Sequence, residues 1–132
     1  GDFKDMAAPN IVSVTSIYGR TTGVLLNATT TTGILTCASN KVLKVNSIIC
    51  ANVDGTNAAD VTVNFFDTDS DGSGTDRTNP LASTVRVPAD STVIILGKDS
   101  SIYLEEGDKI TAGASAADDL HLTVSYEEID DA

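Results

Sequence analysis

A chain of 132 residues, 41% hydrophobic and 20% charged, has the size of one domain and is apolar enough to bury roughly two-thirds of its unfolded surface. Nineteen acidic residues against eight scattered basic ones leave a net charge of −11, which argues against a surface made to neutralise phosphates, so nucleic acid is not an expected partner. No apolar run approaches the ~20 residues that cross a bilayer, so no membrane is expected either.

The first five residues, GDFKD, precede the single methionine, Met6, and are read as a remnant of processing or tagging; residues 6–132 are expected to form one domain. In NIVSVTSIYGR, Ile11 or Val12, Val14 and Ile17 alternate with polar positions, and Gly19 with Arg20 is expected to break the strand. Two short strands follow, around Val24 to Asn27 and Ile34 to Ala38, joined by a threonine-rich connection.

KVLKVNSIICANVDG is the longest candidate strand. Strict alternation would put Leu43, Val45, Ser47, Ile49, Ala51 and Val53 on one face. Ile48 and Cys50 make the second face apolar as well, so this strand is expected to be covered on both sides. Asp54 and Gly55 then supply turn chemistry, and ADVTVNFFD returns with Val61, Val63 and Phe65 on one face, as in a β-hairpin.

STVRVP, STVIILG, SIYLEEGD, KITAGAS and LHLTVSYEEI complete the chain, punctuated at Pro88 to Asp90, at Gly97 to Asp99, at Gly107 and Asp108, and at Ala116 to Asp119. Short strands at this spacing, with no helical periodicity and no repeat, indicate an all-β fold: a single antiparallel β-sandwich or jelly roll. The acidic tail EEIDDA is expected to fray.

One segment looks like chemistry. Asp67, Asp69 and Asp71 followed by Gly72 match the opening of the D-x-D-x-D-G calcium loop, with Ser73 and Thr75 at the next ligand positions. The twelfth position, normally a bidentate Glu, is Thr78, and strands rather than helices flank the loop. Asp76 is the one later carboxylate able to substitute. Asp67, Asp69, Asp71, Ser73 and Asp76 are thus the candidate calcium ligands. The competing reading, which the missing Glu favours, is a solvated hairpin loop rich in turn-forming residues.

Elsewhere the pattern argues against catalysis. His121 alternates outward with Thr123 and Ser125, opposite to Leu120, Leu122, Val124 and Tyr126, and no nucleophile elbow accompanies it. The adjacent carboxylates Glu105 and Glu106, Asp118 and Asp119, Glu127 and Glu128, and Asp130 and Asp131 do not face each other across a cleft as glycosidase pairs must. Cys37 and Cys50 lack zinc spacing and a secretion signal and read as two small buried hydrophobes rather than a disulfide. The expectation is no enzyme and no cofactor beyond the calcium option.

Two stretches carry a family likeness: VNSIICANVDGTNAADVTVNFF, and the segment from LASTVRVPADSTVIILGKDSSIYLEEGD to SYEEI. In these the chain resembles small virion structural proteins of T4-like marine cyanophages, from about MAAPNIVSV to the end of SYEEI. The resemblance implies a non-enzymatic component of a phage particle, on the head as a decoration, or at the neck or tail. It further implies assembly in the host bacterial cytoplasm. Its expected partners are copies of itself, with a trimer suggested by lattice symmetry, and other virion proteins. The Asp-rich loop lies outside the resemblance, and the alternative function is a calcium-dependent carbohydrate- or surface-binding β-sandwich.

Overall fold

The computed structural model describes residues 14–27, 32–68 and 75–131. Gly1 to Asp5 therefore lie outside the described residues, as do Asp69, Asp71 and Ser73. Nine strands are described: β1 (Val14–Leu25), β2 (Thr32–Thr36), β3 (Lys41–Asn52), β4 (Ala59–Asp67), β5 (Arg77–Val87), β6 (Thr92–Leu96), β7 (Ile102–Leu104), β8 (Lys109–Ala114) and β9 (Leu120–Asp131). A 3-10 turn at Lys98–Ser100 separates β6 from β7.

These strands form two antiparallel sheets. One has the order β1-β9-β3-β6, with β7 continuing the β6 edge along β3; the other has the order β2-β8-β4-β5. The chain crosses between sheets at every connection except β4 to β5 and β6 to β7. Counting β6 and β7 as one interrupted strand gives the eight-strand arrangement of a jelly roll. The expected all-β sandwich is the fold observed.

The core lies between the sheets. Leu43, Val45, Ile48 and Cys50 of β3 and Leu120, Leu122 and Val124 of β9 pack against Val61 and Val63 of β4 and Ile110 and Ala112 of β8. Leu122 and Val124 point inward, and His121 outward, as alternation requires.

Local expectations differ from the structure at four places. The β1 strand runs without interruption through Gly19 and Arg20, both paired to β9. Glycine weakens a strand but keeps its N–H and C=O, so a long partner can carry the pairing across it. In β3 the register shifts between Val45 and Ser47. That bulge reverses the alternation, so Leu43 and Val45 share the inner face with Ile48 and Cys50, while Ser47, Ile49 and Ala51 face outward. Beyond the bulge only that inner face is fully buried.

The Asp54–Gly55 turn does not close a hairpin. It carries the chain from one sheet to the other, since β3 pairs with β6, β7 and β9 and β4 with β5 and β8. Buried Asn52 stitches this crossover: its amide donates to the carbonyls of Asn57 and Val87, each at 3.0 Å, and its Oδ1 accepts from the Asp54 N–H at 2.9 Å. Finally, the acidic stretch from Glu127 to Asp131, expected to fray, is the paired end of β9. Two of its carboxylates are held by cations: Glu128 by Arg20 at 3.3 Å and by Lys41 at 3.1 Å, and Asp130 by Lys41.

Candidate functional site

The Asp-rich segment joins β4 to β5, the one pair of consecutive strands that form a simple hairpin. Asp67, the last residue of β4, is paired in register with Arg77, the first of β5, and Asp76 precedes it. The structure therefore places two of the five candidate ligands at the base of the loop; Asp69, Asp71 and Ser73 lie outside the described residues. Among the described residues no three His, Cys, Asp or Glu side chains converge as a metal site would require.

The foot of the loop is tied to the EEGD turn before β8. Asp108 is 2% exposed, and its Oδ1 accepts the Thr68 N–H at 2.9 Å and the Thr68 hydroxyl at 3.1 Å. Its Oδ2 accepts the Glu105 N–H at 3.0 Å, closing the turn. Gly107 occupies the left-handed region at φ 85°, where a Cβ would lie 3.0 Å from the Thr68 hydroxyl. Glycine is required there both by backbone conformation and by space. Asp108 is a structural carboxylate, positioned by burial to hold two loops together.

Among the described residues, the other candidates do not come together as catalytic groups. His121 is exposed, and its cross-strand neighbours are Leu25 and Ala51, neither of which can orient an imidazole. Glu127 and Glu128 point to opposite faces, as adjacent strand residues must. Cys37 and Cys50 are free and buried. Burial pushes the Cys37 thiol up to about 12 and the Cys50 thiol up to about 11, so neither is a nucleophile near neutrality.

What the sequence reading missed is a surface. The register of β1, β9, β3 and β6 defines the outer face of the five-stranded sheet row by row. One row is Leu25, His121, Ala51 and Thr92; the next is Gly23, Thr123, Ile49 and Ile94; the third is Thr21, Ser125 and Ser47. A fourth row holds Gly19, Glu127, Lys44 and Tyr103. Ile94 is 72% exposed, and Leu25 and Tyr103 are also open to solvent. On a chain of net charge −11, these four rows carry Glu127 as their one carboxylate, and Asn46 hydrogen-bonds it at 3.0 Å.

Such a face is poor in charge, as the core of a protein contact surface is. At strand spacings of ~4.8 Å and ~6.8 Å between alternate residues, its four strands and four or five rows cover roughly 600 Å². A standard interface takes about 800 Å² from each partner, so the face is of comparable size. The sequence signal was the doubled apolar character of SIIC in β3, which the bulge divides between core and surface.

No family model matches the chain, and no curated protein matches it. One solved chain to which it is similar comes from a crystal structure of the T13 viral particle of IBDV, with 10% identity and a TM-score of 0.42. That alignment covers 88% of this chain but 31% of the other, so the present chain spans less than a third of its length. A likeness this distant carries no argument about function.

Proposed function

We propose that the protein is a non-enzymatic structural subunit of a bacteriophage particle, a head decoration or a neck or tail component, acting by assembly with other virion proteins and with copies of itself. The observation that carries this reading is the charge-poor outer face of the five-stranded sheet, with Ile94, Leu25 and Tyr103 exposed on it. An interface core is depleted in charge, and the remaining acidic surface keeps the unassembled subunit soluble. The sequence likeness to cyanophage virion proteins supports the same reading and suggests where the partners are found. So does the jelly roll, an architecture used in capsid proteins, although fold alone does not fix function.

Particles that lack this chain provide the test. Purified wild-type protein is expected to bind them, and Ile94→Glu, which puts a carboxylate at the most exposed apolar position of the outer face, should bind at least tenfold more weakly while melting like wild type. Equal binding by both proteins contradicts the use of this face.

A further inference from the structure

The edges of the two sheets are treated very differently. In the four-stranded sheet the long edge strand is β5, which carries three features that obstruct pairing with another chain. Pro80 lacks an N–H. A bulge opposite Thr62 places Thr84 in the left-handed region at φ 48°, its N–H taken by the Thr62 hydroxyl at 3.1 Å. Arg77 and Arg86 add charge along the strand. A β-branched residue at positive φ is strained, so this obstruction is held in place by the surrounding structure. The β2 edge is only five residues long, and β6 and β7 are short and interrupted.

The β1 edge is far less protected, its one irregularity lying at its start, between Val14 and Ser16. It is twelve residues long and contains no proline, and its pairing with β9 has no register shift from Ser16 to Leu25. Among the described residues it has a neighbouring strand on one side only. Ile17 is 57% exposed, and Tyr18 and Leu25 are also open. Its one charged residue is Arg20, whose Nε lies 3.3 Å from Glu128 and whose guanidinium sits 5.3 Å from the centre of the Tyr18 ring.

We propose that β1 is an assembly edge at which two copies of this chain pair antiparallel about a twofold axis through Gly19, joining their five-stranded sheets into one continuous sheet. Antiparallel pairing about a residue places opposite side chains on the same face and preserves the inner and outer sides of both copies. With Gly19 on the axis, Ile17 of each copy faces Thr21 of the other, and Tyr18 faces Arg20, an aromatic face against a guanidinium. No carboxylate meets a carboxylate and no cation meets a cation. An axis at Arg20 would oppose two cations. On a chain of net charge −11, an edge without acidic residues is where a second copy approaches with least repulsion. The self-complementary register makes the partner a second copy rather than a foreign strand. This contact stands independently of the virion reading.

The test uses the full chain and an open position. A Cβ added at Gly19 would meet nothing within 4 Å, and the same holds for Gly33 on the β2 edge, so both sites accept substitution. Light scattering should give the wild-type chain twice its monomer mass. Mild oxidation should convert Gly19→Cys, but not Gly33→Cys, into a covalent dimer; the native thiols are buried and do not interfere. Gly19→Asp, which opposes two carboxylates at the axis, should weaken the dimer at least tenfold while the chain keeps its β-sheet circular dichroism. A wild-type monomer at every concentration, a trimer, or a dimer that Gly19→Asp leaves intact and Gly19→Cys does not cross-link would each overturn the proposal.

Discussion

Thr68 donates both its backbone N–H and its hydroxyl to one oxygen of Asp108, forty residues further along, at 2.9 and 3.1 Å. This pair connects the start of the Asp-rich loop to the turn that leads into β8. The same carboxylate closes that turn through the Glu105 N–H.

Removing the carboxylate takes away the acceptor that the Thr68 and Glu105 N–H groups share, at a side chain that is itself buried. Asp108→Ala should therefore lower stability by about 2–4 kcal/mol, as expected when a buried charge-assisted network loses its acceptor. Gly107→Ala should cost about 1–3 kcal/mol through positive φ and the contact with Thr68. Urea denaturation of both variants measures these losses.

The Lys41–Asp130–Glu128 cluster predicts a pH dependence with two limbs. Lys41, hydrogen-bonded to Asp130 and then Glu128, titrates above its ordinary 10.5, and its contribution is complete below that value and lost as pH rises through the folded-state pKa. Asp130, held chiefly by Lys41, titrates below its ordinary 3.8, so its contribution is present above that value and lost as pH falls through the lower folded-state pKa. The stability difference between wild type and Lys41→Gln should be flat from about pH 5 to 9 and shrink on both sides. Comparing the two proteins cancels the background set by their shared acidic surface.

Two isoleucines of the five-stranded sheet, Ile48 on β3 and Ile94 on β6, should respond in opposite ways. Ile48 is 0% exposed, and Ile48→Ala should destabilise by about 2–5 kcal/mol. Ile94, across the sheet from Ile49 on the outer face, should tolerate Ile94→Ser within about 0.5 kcal/mol. Thermal melts of the two variants check the bulge-dependent assignment of faces.

The buried thiols should be silent toward a thiol reagent at pH 8 in the native state and both react in denaturant. A bridge between Cys37 and Cys50 would instead leave two thiols missing after unfolding without reductant.

Calcium is expected to leave the melting temperature unchanged, with the β4–β5 segment acting as a hairpin loop. A rise that saturates with calcium, and that Asp67→Asn abolishes, would favour the metal reading.

Period-two alternation made the sandwich legible, and it oriented β9 correctly around His121. It failed in β3, because the bulge near Asn46 inserts a residue without a local signature and exchanges the faces of everything downstream. Turn chemistry at Asp54 and Gly55 marked a reversal of the chain, but it is the same whether two strands pair with each other or cross between sheets. Gly19 was misread as a breaker because strand propensity is local, whereas pairing with β9 is supplied by residues a hundred positions away. Asp108 looked like one more turn carboxylate. Its burial and its partner Thr68 depend on bringing β4 beside β8, which no spacing along the chain discloses. The outer face escaped notice for the same reason: its rows exist only once the register of four strands is known.

The central claim is that this chain is built into a phage particle, and quantitative mass spectrometry of purified virions from a phage encoding it tests that claim most directly. Peptides spanning β3 to β9 should appear at a copy number comparable with the other structural proteins and persist through repeated density-gradient purification. Their absence from purified particles, with the chain present in the infected-cell lysate, would contradict the account.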